Sequence, residues 1–313
     1  MIYTNNLKAL ADIANNLNRS EKEKYFVDKC DKMFASLESI IGLYIDYSIK
    51  ENKLSNFARR KLKSNGLSIN NKLSETVNET LDNSDKNNII KSKAFKEIIH
   101  YRPLIMNDEV LEKNRYDPDN ISQTLREKAS RTHNKLINNY KDQHKNSWII
   151  TSLCKLLYEV RSNLKHCGKT PYGPDLEKSK RDEEICNLIH PTLSVIINHL
   201  LEKPNDKLLL YGTLKLGEVN AAILDSYRKN STLVSIWGFI EIENNLPYYT
   251  FSISSDRNQV EAELIYNSET HIQFDKLDEF EGSTYRRIKV PYKNNNEIGI
   301  GHIYEKKHIY QTL

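Results

Sequence analysis

The sequence predicts two domains of different class: an all-α helical bundle over residues 1–203 and a small α+β, β-barrel-like domain over residues 207–310. Three observations carry that prediction. Up to about residue 205, apolar residues recur three and four positions apart, the period of helices with one buried face. After LEKPNDK (201–207) they gather instead into short runs rich in β-branched and aromatic residues. At 313 residues the chain is long enough to build two separate cores.

The helical elements are read first. MFASLESIIGLYIDYSI (33–49) and WIITSLCKLLYEVRSNL (148–164) are amphipathic segments at helical spacing. EEICNLIHPTLSVIINHLL (183–201) is a third, in which Pro191 is expected to kink or restart the helix, because proline has no N–H to give. Residues 64–88 are rich in Asn, Ser and Lys and poor in aromatics, which predicts a loop or a poorly ordered insert.

Six strands are expected after the switch: LLLYGTL (208–214), LVSIWGFIEI (233–242), YYTFSI (248–253), VEAELIY (260–266), RRIKVPY (286–292) and IGIGHIY (298–304). Turns such as ENNLP and YKNNNE separate them. Two helical pieces remain, AAILDSYRK (221–229) and FDKLDEFEG (274–282). We find no internal repeat.

Composition narrows the function classes. Hydrophobic residues make up 38% and charged residues 28%, which fits a polar globular protein. No apolar run approaches the roughly 18 residues that span a bilayer. The N-terminus lacks a basic start followed by an apolar core, so a cytoplasmic location is expected. The four cysteines, Cys30, Cys154, Cys167 and Cys186, include no CxxC pair. Neither a zinc site nor a disulfide is expected from them, and no metal or other cofactor is implied. A net charge of +4 gives no overall polyanion affinity, although FARRKLKSN (57–65) and LKHCGKT (164–170) are local basic patches.

Glu281 breaks a hydrophobic rule. On a helix over FDKLDEFEG, Phe274 and Leu277 define an inward stripe and Glu281 falls between them in projection, while Asp275, Lys276 and Glu279 face outward. Gly282 ends the helix directly afterwards. An inward carboxylate has to be paired, protonated or open to a cavity. In an apolar cavity its pKa rises towards neutrality, as a general base requires. Pairing with Arg286 or Arg287 is the alternative that spacing leaves open.

YGTLKLG (211–217), WGFI (237–240), LPYY (246–249), VEAELI (260–265) and LDEFEGSTYRR (277–287) resemble, in order and spacing, the γ-glutamylcyclotransferase-like family. In that family, backbone amides after the first strand hold a γ-glutamyl group. The glutamate of the second signature takes a proton from the substrate's α-amine, which attacks the γ-carbonyl to form 5-oxoproline. The resemblance therefore implies Glu281 as base, Tyr211, Gly212, Thr213 and Leu214 as pocket lining, and Tyr285 as a residue that shapes the pocket. The leaving group is not fixed by it, and such barrels can also bind a ligand without turning it over.

LLYEVRSNLKHCGKTPYGPD (156–175) raises a second possibility. With Leu153, Leu157, Val160 and Leu164 facing a core, Arg161 and His166 lie roughly 100–120° off that stripe and are not expected in the core. They diverge on one straight helix, so a joint site needs a helix end or a second copy. VRSNLKHCGK resembles the R-x4-6-H signature of the HEPN superfamily, and residues 183–201 fit that family's last helix. This resemblance implies a helical domain that dimerises and a metal-independent endoribonuclease acting on RNA. His166 would move the proton, Arg161 would hold the scissile phosphate, and Asn163, Lys165 and Lys169 would contact RNA. Ser162 stands where active members often carry Asn, Asp or His.

RNA cleavage in a toxin or antiphage setting, with a fused regulatory or catalytic barrel, is the favoured reading of the sequence. The alternatives are a γ-glutamyl-amine or peptide cyclotransferase whose helical part only dimerises, and a catalytically silent scaffold. A homodimer is expected in the first two.

Overall fold

The computed structural model describes residues 7–50, 69–101, 120–166, 176–201, 206–228, 231–243, 246–252, 259–266, 272–294 and 298–307. By internal contacts the chain forms two compact units, residues 19–200 and residues 1–18 together with 201–313.

The described helices up to residue 200 are α1 (Leu7–Lys22), α2 (Phe26–Lys50), α3 (Ile69–Thr80), α4 (Asn83–Lys91), α5 (Lys93–His100), α6 (Asn120–Lys141), α7 (Asn146–His166) and α8 (Leu176–Leu200). Their apolar stripes make the core of the larger unit: Cys30, Phe34, Leu37 and Ile41 on α2, Leu153, Leu157 and Val160 on α7, and Ile189, Leu193 and Ile197 on α8 are all buried. Local caps place several ends. The Asp82 carboxylate accepts from Asp85 N–H at 2.7 Å, and the Ser92 hydroxyl accepts from Phe95 N–H at 3.1 Å. The first turn of α2 is capped from a distance, by Glu183, which accepts from Phe26 N–H at 2.6 Å and Val27 N–H at 3.0 Å.

Two expectations are corrected here. Residues 69–88, within the stretch 64–88 expected as a loop or insert, lie in and between α3 and α4. Leu73, Val77 and Leu81 recur every fourth residue and are buried, and that stripe outweighs a composition rich in Asn and Ser. Pro191 neither ends nor restarts its helix, because α8 runs through it from Leu176 to Leu200, with Thr192 and Leu193 buried around it. By internal contacts the described residues 7–18 of α1 group with the smaller unit. Within it the Asn18 side-chain amide donates to Lys289 C=O at 2.7 Å and accepts from Lys289 N–H at 2.8 Å, as a neighbouring strand would. The basic stretch 57–65 lies outside the described residues.

The smaller unit holds β1 (Lys207–Leu210), β2 (Ser231–Trp237), β3 (Phe239–Glu243), β4 (Leu246–Thr250), β5 (Gln259–Tyr266), α9 (Phe274–Glu281), β6 (Tyr285–Lys293) and β7 (Ile298–Lys306). Five strands close into a barrel in the order β1-β5-β2-β6-β7, and β3 with β4 makes a separate ribbon. The seam is a parallel contact between Leu208 and His302; the other neighbouring pairs are antiparallel. One run expected as a single strand, 233–242, is split at Gly238. A side chain there would collide with the Tyr249 ring, its added Cβ lying 2.5 Å from the hydroxyl oxygen. The piece 221–229 is 3-10 rather than α-helical, over Ala221–Tyr227.

Strand alternation builds two clusters. Leu209, Val234, Ile236, Leu264, Val290 and Tyr292 belong to one. Leu208 and Leu210, on the opposite face of β1, join Leu277, Ile265, Ile272 and Tyr304 in the other. Leu277 fastens α9 in this second cluster, a burial that contributes roughly 2 kcal/mol.

Candidate active site of the barrel unit

At the end of β1 the chain enters a 3-10 turn, Gly212–Leu214, opened by Gly212 at φ +66°. Lys215 N–H closes the turn on Gly212 C=O at 3.1 Å, and Asn220 N–H bonds Thr213 C=O at 3.0 Å. The first N–H groups of the turn, those of Gly212 and Thr213, have no acceptor within it, which is the usual state of a helical N-terminus and suits an oxyanion or carbonyl. Beside the turn is a cavity of about 300 Å³. Its walls are Leu209 to Leu214 from the β1 end, Asn220, Pro247 from the ribbon, Tyr304 from β7, Tyr285 at the start of β6, and Glu281.

Glu281 is the last residue of α9. Gly282 ends the helix at φ +66°, its N–H bonded to Asp278 C=O at 3.0 Å. The inward stripe is as expected: Leu277 is buried, and Phe274 packs on the His302 ring at 5.0 Å. The open question about the two arginines is answered by their partners. Arg286 binds Glu305, with Nε–Oε2 at 2.8 Å. Arg287 pairs with Asp278 at 3.2 Å and lies over the Phe274 ring. Glu281 has no hydrogen-bond or ion-pair partner among the described residues, and no cation lines its cavity. Loss of water around an uncompensated carboxylate pushes its pKa up to about 7.

The tyrosines around it are held in the neutral phenol form. Burial drives Tyr211 upward, and Tyr285 is raised by burial and then by Tyr248 and Glu281. Tyr304, raised by burial, donates to Asp278 at 2.6 Å. The cavity thus combines one carboxylate poised to gain or lose a proton near neutral pH, phenols, and the Gly212–Leu214 turn.

All six residues predicted for this site from sequence (Tyr211, Gly212, Thr213, Leu214, Glu281 and Tyr285) line the one cavity. Leu209, Leu210, Asn220, Pro247 and Tyr304 were not anticipated there. The two leucines directly precede the predicted Tyr211 and Asn220 is an asparagine in a turn-rich stretch, while Pro247 and Tyr304 arrive through pairings that local spacing does not reveal.

The second predicted site is in the helical unit. Arg161 is not turned away from the core as expected. Four residues after Leu157, it comes round to within about 40° of it, at the flank of the stripe. Its side chain is 15% exposed, forms an ion pair with Glu38 of α2, and lies 5.9 Å from the Tyr158 ring. α7 ends at His166. The side chains of Asn163, Lys165 and His166, and all of Lys169, lie outside the described residues. No described helix is long and apolar enough to cross a membrane.

Comparison with known proteins bears on the barrel unit alone. No curated protein matches the chain. Among solved structures, YkqA from Bacillus subtilis matches with 23% identity over 33% of this chain and 36% of that one, at a TM-score of 0.27. The match spans about a third of either chain. Residues 208–311 match the family described as Gamma-glutamyl cyclotransferase, AIG2-like, so the C-terminal part of the chain carries a domain of that type.

Proposed function

We propose that the barrel unit cyclises a γ-glutamyl amine or peptide, releasing 5-oxoproline and the free amine. The observation that carries this reading is a desolvated Glu281, raised to about 7 and without a cationic partner among the described residues, on the wall of a 300 Å³ cavity shared with the Gly212–Leu214 turn. Glu281 takes a proton from the substrate's α-ammonium group. The freed nitrogen lone pair attacks the γ-carbonyl carbon, whose developing oxyanion the Gly212 and Thr213 N–H groups are suited to hold. The C–N bond to the leaving amine then breaks; that amine takes the proton Glu281 accepted and the second proton the ring nitrogen sheds, so it departs as an ammonium ion and 5-oxoproline keeps one N–H. Ring closure is intramolecular, so the protein's task is to fold the substrate into an attacking pose and supply one base. Incubating the full chain with a panel of γ-glutamyl amines and peptides, and measuring 5-oxoproline, tests the reading. Release that disappears in Glu281→Gln supports it, and release that survives removes the assigned base.

A second activity, RNA cleavage by the helical unit, is favoured by one observation. Arg161 and His166 both fall within α7, Asn146–His166, so the R-x4-H pair stands on one helix as that resemblance requires. The Glu38 pair weighs against it, since Arg161 has to leave that carboxylate to reach a phosphate. In this reading two chains contribute R/H pairs to one cleft, with Asn163, Lys165 and Lys169 along the RNA. Light scattering then gives a homodimer, and RNA cleavage resists EDTA and vanishes in His166→Ala. A monomer at micromolar concentration, or cleavage that EDTA stops, defeats it.

A further inference from the structure

The segment between Gly212 and Ala221 supplies Gly212, Thr213, Leu214 and Asn220 to the cavity, and a buried charge pair that the proposed chemistry does not use stitches it down. Arg228 follows the 3-10 helix Ala221–Tyr227, and Glu263 sits mid-strand on β5; their side chains are 7% and 5% exposed. Arg228 Nε donates to Glu263 Oε1 at 3.2 Å. Its two terminal nitrogens donate to the carbonyls of Leu214 and Ala221, and one of them also reaches the Asp225 carboxylate at 3.1 Å. The second Glu263 oxygen accepts from Leu216 N–H at 2.8 Å. Leu214, Leu216 and Ala221 are therefore all tied to β5, a strand paired on both sides, by β1 and β2.

A buried ion pair is a poor source of stability, because desolvating both charges offsets much of their attraction. Geometry is what this one supplies. The guanidinium is a rigid planar fork, and here each arm ends on a different point of one loop. We propose that Arg228 and Glu263 are positioning residues for the candidate site: they fix the Gly212–Leu214 turn relative to Glu281 without touching the substrate. The functional half of this proposal rests on the cyclotransferase reading; the structural half does not.

The test uses the full chain with three changes: Glu263→Gln, Arg228→Lys, and the double variant Arg228→Met with Glu263→Leu, which removes both charges and keeps the volume. Hydrogen exchange of the 212–221 amides is the first readout. Turnover of the γ-glutamyl compound most active with the wild-type chain is the second. The double variant is expected to melt close to wild type while the loop amides exchange on the order of tenfold faster. kcat/KM should fall about 10²-fold, the loss typical of a misplaced reacting geometry, with its pH midpoint unmoved because Glu281 keeps its surroundings. Arg228→Lys cannot fan to two carbonyls and should resemble the double variant. Glu263→Gln keeps an acceptor for Leu216 N–H and should recover part of the activity.

Unchanged exchange in the double variant overturns the proposal whatever the activity. Fast exchange with full turnover overturns it too, because the loop's position then does not matter. Should the double variant fail to fold, Arg228→Lys decides by the same two criteria. A wild-type chain that turns over no γ-glutamyl compound defeats the proposed function instead, and the exchange data still decide whether the pair holds the loop.

Discussion

Each unit of this protein presents one charged side chain that the sequence marks as chemical, and the two have opposite surroundings. Glu281 ends a helix at a cavity wall, with no countercharge among the described residues and a pKa pushed up to about 7. Arg161 also stands on a helix, but Glu38 neutralises it and the Tyr158 ring covers part of it. An isolated charge pays a standing desolvation penalty, and a cavity that admits a ligand is a reason to retain one. A paired charge has a structural reason to exist. The contrast ranks the two sites: Glu281 is free to exchange a proton as it stands, whereas Arg161 has to surrender a bond first.

The largest effect expected from breaking this contrast is on Glu281. Glu281→Gln keeps shape and hydrogen bonding but cannot accept a proton, so kcat/KM for 5-oxoproline release should fall by about 10²–10⁴. In the wild type the base has to be ionised, so kcat/KM should rise with pH through a midpoint near 7. A cation placed in the cavity, by Thr213→Lys, should give Glu281 the partner it lacks and move that midpoint down. A midpoint near 4.5 in the wild type, the ordinary carboxylate value, would mean that Glu281 is well hydrated and the cavity is not its cause.

For Arg161 the expected loss is in stability. Arg161→Ala removes one half of this partly buried ion pair, a cost of about 1–3 kcal/mol readable in chemical denaturation. The double variant with Glu38→Ala should lose less than the two single losses added together, since both changes remove the same pair. Additive losses in the double variant would show that the pair contributes nothing as a pair.

Much of the barrel unit could be read directly. Strand alternation located every strand of the barrel, and the stripe formed by Phe274 and Leu277 singled out Glu281, because a short helix with one buried face makes an inward carboxylate conspicuous. The split at Gly238 was hidden, since it depends on how closely the Tyr249 ring approaches. Arg228 and Glu263 were hidden for a related reason: they lie 35 residues apart and meet only when β5 pairs with β1. In the helical unit, composition misled over 69–88, where the Leu73, Val77 and Leu81 stripe was diluted by asparagines. Arg161 was misplaced on the helix, since four residues at 100° bring it back to within about 40° of Leu157; its ion pair with Glu38 was hidden because that partner comes from another helix.

A smaller effect follows from linkage. A carboxyl group whose folded pKa is raised from 4.5 to about 7 binds its proton more tightly in the folded chain than in the unfolded one. Stability from this group is therefore greatest below the unfolded pKa and declines as pH rises through about 4.5 to 7. Glu281→Gln has no such term. The Tm of the variant relative to wild type should accordingly climb across that window and level off above it. A difference that stays flat with pH would show that Glu281 has the same pKa folded and unfolded.

The smallest effect belongs to Gly282, the residue that ends α9 immediately beyond Glu281. At φ +66° a Cβ is disfavoured by backbone sterics alone, since an added Cβ meets nothing within 4 Å. Gly282→Ala should therefore cost about 1 kcal/mol, with no contribution from overpacking. Gly282→Asn should cost as much, because at ψ −163° the residue lies outside the left-handed helical region that asparagine tolerates, in backbone space kept almost entirely for glycine. If α9 simply unwinds by one residue to escape the strain, Glu281 leaves its place on the cavity wall. Activity then falls more steeply than stability does, and the pH midpoint of kcat/KM drops towards the ordinary carboxylate value. If the helix end holds, activity and stability change together by the same small amount. Measuring Tm, kcat/KM and its pH midpoint for this pair of variants separates strain in the cap from displacement of the base.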